Sequence, residues 1–248
     1  KAFTQSDIDH LVYVEMAEGF GSPGCVLELF KALEGIKQGA YLWYQHNKAA
    51  WTKLGFRSWI NEANMYFHPT LKIRVGVFAD DTLVGYPTET TEDYKKIKAE
   101  YGRLIKIDST ELSPVMKFTG VQIIRNRSER SLTIHQRRYI EQMTQEFEKQ
   151  LKSVETPFGA SREARSRFDN LEPAASGAEM DKGQYLKLMG KLVWPSVMTR
   201  VDIAFAVNSL CKMVASPSQS HYDLGIDIVS YLSQTKTLGI TYGGRLRI

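Results

Sequence analysis

The spacing of apolar positions predicts a mixed α/β first half of the chain and a mostly helical second half. Helical spacing is clearest over residues 40–54, where Trp43, Ala50 and Leu54 fall on one side and Gly55 follows as a C-cap. The same period predicts helices at Cys25–Leu33, at a segment through Tyr94, Ile97, Tyr101 and Leu104 capped by Thr90 or Thr91, and at Gln136–Leu151, Gln184–Met198, Val201–Val214 and His221–Ser233.

Short apolar runs between turn residues predict strands, and one pair of runs has two aspartates at its centre. In Ile73–Tyr86 the runs flank Asp80 and Asp81, which predicts two strands joined by a tight turn with both aspartates at its tip. Aspartate often stabilises turns by bonding nearby backbone, so the pair alone indicates only turn chemistry. The other predicted strands are Val12–Val14, Met65–Phe67, Lys117–Ile124 interrupted by Gly120, Leu132–Ile134 and Leu238–Tyr242.

Composition and charge leave both the number of domains and the kind of partner open. The 248 residues, 43% of them hydrophobic, suffice for one large domain or two small ones. A net charge of +4 is compatible with a polyanionic partner without being diagnostic of one. The stretch Glu155–Gly183 is poor in large apolar residues and predicts a long exposed loop or linker.

The two cysteines, Cys25 and Cys211, form no CxxC pair and no cluster with histidine. They predict buried, reduced thiols in an intracellular protein and argue against a disulfide framework or a structural zinc site. No apolar stretch approaches the roughly 20 residues that span a bilayer. The chain begins with Lys1 and reads as part of a longer polypeptide.

Seven motifs follow one another in an order that resembles the reverse transcriptase of copia-type LTR retrotransposons, over nearly the whole chain. No single motif is decisive, but seven at suitable spacings are specific. They are Ala2-Phe3, Gly35-x-Lys37-Gln38 before an aromatic helix, Asp80-Asp81, Phe118-x-Gly120, Gln136-x-x-Tyr139-Ile140, Gly190-Lys191-Leu192 and Thr199-Arg200-x-Asp202-Ile203.

The resemblance implies an α+β fold of the right-hand polymerase type. Fingers and palm with the Asp-Asp hairpin would occupy residues 1–125 and the start of the thumb 126–160. An exposed linker or loop would follow at 161–183, and a helical thumb- or connection-like part at 184–248. The implied activity is RNA-directed DNA polymerisation, and the implied partners are an RNA or DNA template–primer and dNTPs. The implied location is the cytoplasm, in a virus-like particle or nucleoprotein, or the nucleus.

The resemblance gives Asp80 and Asp81 the catalytic role. Polymerisation is phosphoryl transfer, in which two divalent ions stabilise the attacking 3′-oxygen and the leaving pyrophosphate. Mg²⁺, or Mn²⁺ in its place, prefers the hard oxygen ligands that carboxylates provide. The family would give Asp80 the direct metal contact and Asp81 a supporting one.

Four further residues match family positions at the incoming nucleotide: Phe3, Gln38, Gly39 and Ala79. Phe3 would exclude a 2′-hydroxyl, Gln38 would contact the nucleotide, and Gly39 would allow close backbone approach. The alternatives are core packing for Phe3 and an exposed polar loop for Gln38.

Nucleic-acid contacts are implied for Gly120, in a hairpin that grips the primer end, and for a group of basic residues after it. Arginines there would bind phosphate without reading sequence, although a solvated charged turn explains them as well. The group comprises Arg125, Arg127, Arg130, Arg137 and Arg138.

The chain also departs from the family pattern. The family's first catalytic aspartate would fall three residues before Lys1, so we expect this chain alone to be inactive or nearly so. Glu34, Ala40 and Val201 replace the usual Tyr, Pro and Pro. The alternative function is therefore a degenerate or domesticated remnant that binds nucleic acid without synthesis. A soluble α/β domain with chance motif matches is a third, weaker interpretation.

Overall fold

The computed structural model describes residues 2–17, 19–21, 24–107, 115–158, 162–174 and 180–243. The chain forms two compact units, residues 1–111 and residues 112–248, which are considered separately below. Each unit has its own cluster of buried apolar side chains. The presence of two units resolves the choice that composition left open.

The first unit combines a four-stranded antiparallel sheet, a two-stranded ribbon and two helices. The sheet has the order β3-β4-β5-β6, and the ribbon pairs β1 with β2. The element bounds are β1 Tyr13–Glu15, β2 Val26–Glu28, α1 Gly39–Lys53, β3 Arg57–Ser58, β4 Met65–Phe67, β5 Arg74–Phe78, β6 Asp81–Gly85 and α2 Thr91–Leu104, with 3₁₀ turns at Phe3–Gln5 and Thr88–Thr90.

Helix α1 ends where the sequence predicts, and for the predicted reason. Gly55 has φ +87°, a conformation that a residue without Cβ adopts at little cost. The Phe56 N–H donates to the Trp51 carbonyl at 3.0 Å, and the Gly55 N–H donates to the Thr52 carbonyl at 3.0 Å. This is a Schellman cap, and its usual apolar contact is the Phe56 ring edge-on to Trp51 at 4.9 Å.

The core of the first unit is built on stacked aromatic rings. Trp51 of α1 stacks on Tyr101 of α2 at 4.2 Å and lies 6.2 Å from the ring of Tyr66 in β4. Ile73 and Val75, next to and within β5, complete the buried layer against the sheet. Burial raises the pKa of Tyr101 to about 12, and its hydroxyl donates to Asn47 at 3.1 Å.

Two predictions for this unit are wrong. The segment Cys25–Leu33 forms no helix; its residues Val26–Glu28 are a strand paired with Tyr13–Glu15. A nine-residue apolar run fits either period, and a β-branched residue beside a Gly/Pro-rich loop favours pairing. Cys25 is exposed and Cys211 is half-buried, so the expected pair of buried thiols is also wrong.

The described residues of the second unit form four strands in one antiparallel sheet and five helices around a larger apolar core. The sheet order is β10-β9-β8-β7, so the last strand of the chain pairs with a strand more than a hundred residues earlier. The bounds are β7 Val115–Phe118, β8 Val121–Asn126, β9 Ser131–His135, α3 Arg137–Glu146, α4 Arg162–Asp169, α5 Lys182–Met198, α6 Ala204–Cys211, α7 Gln219–Gln234 and β10 Gly239–Gly243, with 3₁₀ turns at Glu148–Gln150 and Val201–Ile203.

Three predictions are corrected in the second unit. The strand expected at Lys117–Ile124 is two strands, because Thr119 and Gly120 turn the chain back on itself. Helix α3 ends at Glu146 and continues only as a 3₁₀ turn. The stretch expected to be exposed loop contains α4, and Phe168 of that helix is buried in the core.

Helix α5 contains a proline, and a tyrosine from α3 compensates for it. Pro195 has no N–H, so the carbonyl of Lys191 one turn earlier loses its helical partner. The Tyr139 hydroxyl donates to that Lys191 carbonyl at 2.8 Å. The tyrosine of the Gln-x-x-Tyr motif thus satisfies a backbone group that would otherwise be left unpaired. The glutamine of the motif, Gln136, is buried and accepts from Thr199 at 2.8 Å.

The Thr-Arg-x-Asp motif forms an ion pair between the buried Arg200 and Asp202, whose side chain is 34% exposed. Arg200 thereby joins the end of α5 to the end of α7. Arg200 is 1% exposed and donates to both carboxylate oxygens of Asp202, at 3.0 and 2.7 Å. Its remaining donors bind the carbonyl and the hydroxyl of Thr235, at 3.1 and 2.7 Å. Tyr231 donates to Asp202 at 2.9 Å. Each of the three guanidinium nitrogens therefore donates at least one hydrogen bond, as a buried charge requires.

Substituting Asp202→Asn should destabilise the second unit by about 2 kcal/mol near neutral pH, since it leaves the buried Arg200 without its counter-charge. Burial alone would raise the pKa of the Asp202 carboxyl, but the hydrogen bonds and charge of Arg200 outweigh it, and the pKa lies below its usual value. The pair therefore stabilises the fold above the unfolded-state pKa of about 4 and loses this effect as pH falls through the folded-state pKa.

Urea unfolding of wild type and Asp202→Asn at several pH values tests this prediction. The difference in unfolding free energy should shrink as the medium is acidified below about pH 4. Asp169→Asn, at an exposed position, is the control and should change little at any pH. A difference for Asp202→Asn that stays constant with pH would contradict the assignment of this ion pair.

Candidate functional site

The two aspartates lie at the connection between β5 and β6. Phe78 pairs with Asp81, so Ala79 and Asp80 form a two-residue turn and Asp81 is the first residue of β6. The sequence placed both aspartates at the tip; the turn instead consists of Ala79 and Asp80. Both aspartates are exposed, and their carboxylates belong to adjacent residues at one end of the hairpin.

The turn is unusual because an alanine has positive φ. Ala79 has φ +49°, a region in which side chains with a Cβ are uncommon. The indole N–H of Trp43 in α1 donates to the Ala79 carbonyl at 2.7 Å. Trp43 is itself 6% exposed, so this hydrogen bond ties the turn to a buried side chain.

Gln38, the residue at the N-terminus of α1, is held by a histidine to which the sequence gave no role. The Gln38 amide nitrogen and His10 Nε2 are 3.0 Å apart, and His10 Nδ1 is 2.6 Å from an Asp9 carboxylate oxygen. An amide nitrogen can only donate, so Nε2 accepts and the Nδ1–H donates to Asp9. This chain of hydrogen bonds fixes which end of the Gln38 amide remains available to a ligand.

The structure gives Gly39 and Phe3 roles in packing. A Cβ on Gly39 would lie 2.8 Å from the Leu33 carbonyl oxygen and 3.0 Å from Ile36, so this position excludes other residues. The backbone that approaches Gly39 is therefore the preceding turn of the same chain. Phe3 is partly buried against the core of the first unit, as the packing alternative expected.

In the second unit, Gly120 lies at a tight turn that rests on an aromatic ring. Thr119 and Gly120 have φ of +49° and +79°, the pattern of a type I′ hairpin. A Cβ on Gly120 would lie 2.7 Å from the Trp194 ring. Trp194 in turn meets Tyr139 edge-on at 4.5 Å, so the hairpin turn, α5 and α3 support one another.

The arginines after this hairpin differ in how far their charge is already compensated. Arg137 donates to Glu141 at 2.8 Å. Within the described residues, Arg125, Arg127 and Arg138 are exposed and make no ion pair. Arg130, which has φ +52° in the connection between β8 and β9, is likewise exposed and in no ion pair with a described residue. The charges of these four arginines are therefore not neutralised by an ion pair within the described residues.

The fit to a divalent cation depends on Asp80 and Asp81. Their carboxylates are hard oxygen donors, of the type that Mg²⁺ prefers. Across the described ranges, no group of three or more His, Cys, Asp or Glu residues is arranged to hold a metal ion. These two side chains would supply only part of a coordination shell, and water or substrate oxygens, which Mg²⁺ commonly retains, would have to complete it.

Comparison with known proteins identifies the family to which this chain belongs. The family model for reverse transcriptase (RNA-dependent DNA polymerase) matches residues 1–159. Since the match spans more than half of the 248 residues, the chain belongs to this family. The described helices include none that is both long enough and apolar enough to cross a membrane.

The relatives that the chain matches are transposon proteins. The chain is 28% identical to the retrovirus-related Pol polyprotein from transposon TNT 1-94 of Nicotiana tabacum, over 98% of this chain and 18% of that protein. It is 28% identical to the putative transposon Ty5-1 protein of Saccharomyces cerevisiae, over 97% of this chain and 76% of the relative. No solved structure matches the chain significantly. The resemblance to copia-type reverse transcriptases is confirmed.

Substituting Gly120→Ala should destabilise the second unit by about 1–3 kcal/mol, because a Cβ there meets Trp194 and the backbone has positive φ. Gly190→Ala is the matched control: it lies within α5, its Cβ would meet no atom within 4 Å, and alanine favours helix. Thermal unfolding should therefore show a lower Tm for the first variant and an equal or higher Tm for the second. Equal effects would contradict the contact between Gly120 and Trp194.

Proposed function

We propose that the chain is the polymerase region of a retrotransposon polyprotein and takes part in RNA-directed DNA synthesis. The observation that supports this most directly is an exposed pair of adjacent carboxylates, Asp80 and Asp81, at a hairpin turn, in a chain of the reverse transcriptase family. Nucleotidyl transfer needs little covalent participation by the protein. Positioning and charge neutralisation account for most of the catalysis, and two carboxylates at one end of a hairpin suit that purpose.

In this proposal Asp80 and Asp81 hold divalent cations, Mg²⁺ or Mn²⁺. When bound, the ions supply charge neutralisation at the transferring phosphate. Asp80 makes the direct contact and Asp81 supports it. Two-metal chemistry needs a further carboxylate besides these two.

The nucleotide in this proposal is a dNTP that lies near the N-terminus of α1. Gln38 contacts it through the end of its amide that His10 leaves available. Phe3 excludes the 2′-hydroxyl of a ribonucleotide by its bulk, while remaining packed on the core. Ala79 contributes its small side chain, since its carbonyl is already bonded to Trp43.

The nucleic acid in this proposal is an RNA or DNA template paired with a primer. The hairpin turn that contains Gly120 contacts the primer end, and the glycine lets this turn pack on Trp194. Arg125, Arg127 and Arg138 neutralise backbone phosphates, and Arg137 contributes less because Glu141 already pairs with it. The relatives are transposon polyproteins, which fits action in the cytoplasm within a particle or nucleoprotein.

Asp80→Asn should abolish primer extension, because an amide cannot replace the carboxylate as a metal ligand of equal charge. The assay uses the chain with its natural upstream residues, a poly-rA template with a DNA primer, and Mg²⁺ or Mn²⁺. The control is Asp223→Asn, at an exposed position on α7, which should retain wild-type activity.

Two outcomes of this assay would contradict the proposal. Equal extension by wild type and Asp80→Asn would exclude Asp80 as a metal ligand. No extension by wild type, combined with tight binding to primer–template, would favour the non-catalytic nucleic-acid-binding remnant.

Replacing Arg125, Arg127 and Arg138 together by glutamine should weaken binding to primer–template duplex and flatten its salt dependence. Each lost phosphate contact reduces the slope of log K against log salt by about one, because fewer counterions are released on binding. The control is Arg103→Gln in α2, whose guanidinium already pairs with Glu100. Fluorescence anisotropy over a range of salt concentrations measures the slope, and an unchanged slope in the triple variant would exclude these arginines as phosphate ligands.

A further inference from the structure

We propose that Trp43 is the positioning residue of the Asp80 turn, and that its indole N–H, rather than its ring, sets where the Asp80 carboxylate points. The inference rests on the proposed function of Asp80 and adds a residue that acts through another. Its structural basis is the hydrogen bond of 2.7 Å from Trp43 Nε1 to the Ala79 carbonyl, directly before Asp80 in the chain.

The turn needs an external constraint because its own sequence does not favour its conformation. Two-residue hairpin turns with positive φ are usually made by glycine or asparagine. Here alanine has φ +49°, which places its Cβ in an unfavourable region. Nothing within the pair Ala79-Asp80 offsets this cost, and β5 and β6 have only five residues each to hold the turn.

Trp43 can supply that constraint because its own side chain is held in the core of the first unit. Its side chain is 6% exposed and belongs to the core of the first unit, and α1 is closed by the Schellman cap at Gly55. An indole has a single donor, and a buried indole N–H generally finds an acceptor. The Ala79 carbonyl is that acceptor, so the position of the turn follows that of the helix.

The same link couples two parts of the proposed site. Helix α1 begins at Gly39, immediately after Gln38, and Trp43 lies just over one turn further along. The helix that carries the proposed nucleotide contact at its N-terminus therefore also holds the turn that carries the proposed metal ligand. A shift of α1 would move both together.

The chain offers a matched control within the same helix. Trp51 is also in α1, is 3% exposed and belongs to the same core. Its ring, in contrast, stacks on Tyr101, and its indole nitrogen makes no hydrogen bond to the hairpin turn. Trp51→Phe and Trp43→Phe remove the same atoms from the same cluster, and only the second also removes a hydrogen bond to the turn.

The first experiment measures the turn without metal or substrate, by hydrogen–deuterium exchange of the peptide spanning residues 74–85. Trp43→Phe should speed exchange at the turn about fivefold, since a hydrogen bond of about 1 kcal/mol is lost. Trp51→Phe should leave exchange there at the wild-type rate. Equal acceleration in both variants would overturn the proposal by assigning the effect to core packing.

A second measurement tests the hydrogen bond in the wild-type protein, in case Trp43→Phe does not fold. In the ¹³C,¹⁵N-labelled chain, the Trp43 indole nitrogen should show a scalar coupling through the hydrogen bond to the Ala79 carbonyl carbon. Absence of that coupling would overturn the proposal.

The third measurement is single-turnover primer extension by the chain with its upstream residues. Trp43→Phe should lower the rate constant about tenfold to a hundredfold, as expected for a misplaced catalytic group, and leave the Kd for primer–template unchanged. Trp51→Phe should match wild type in both quantities.

The two proposals can fail separately. Activity that persists in Asp80→Asn would reject the catalytic assignment, while the exchange and resonance measurements would still decide whether Trp43 holds the turn. Loss of activity in Asp80→Asn together with equal rates in the two tryptophan variants would reject only the role of Trp43.

Discussion

The hydrogen bond between the Trp43 indole and the Ala79 carbonyl is the constraint on which the geometry of the first unit depends. It joins a helix closed by a glycine cap to a hairpin turn whose alanine has an unfavourable φ. A backbone carbonyl at a turn normally bonds to water, which leaves the turn free to move. A buried indole replaces that water by a donor that is packed in the apolar core of the first unit. A small net energy, about 1 kcal/mol, can thereby restrict the backbone directly before Asp80.

The second unit applies the same rule, that buried polar groups must be satisfied, to a proline and an arginine. Tyr139 occupies the Lys191 carbonyl that Pro195 leaves unpaired, and Arg200 binds Asp202 and Thr235 with all its donors buried. These contacts explain why the motifs have these residue types at these spacings. The motifs of the second unit therefore contribute to the architecture of the fold, whereas Asp80 and Asp81 are exposed at one end of a hairpin.

Regular elements with a long, uniform period were predicted well, and contacts between distant residues were not. Helix α1 and its cap at Gly55 agree with the sequence pattern, because a helix of fifteen residues is long enough for the helical period to repeat several times. The segment after Cys25 was assigned to a helix because nine residues fit both periods, and α4 was missed because Phe168 is one of few large apolar residues in a polar stretch. The pattern put Trp43 on the inner side of α1, yet its acceptor lies 36 residues further along the chain. No local pattern indicates such a partner.

For the candidate site, the sequence proposed the residues, and the structure shows the contacts that hold each of them. Gln38 was chosen by its place in a motif, but only the His10 contact shows which end of its amide is occupied. His10 lies 28 residues earlier and follows no recognisable spacing. A buried tryptophan is a more general signal, since its single N–H must bind something. Where the acceptor is a backbone carbonyl, it identifies a segment whose position the fold controls, and for Trp43 that segment is the turn that contains Asp80.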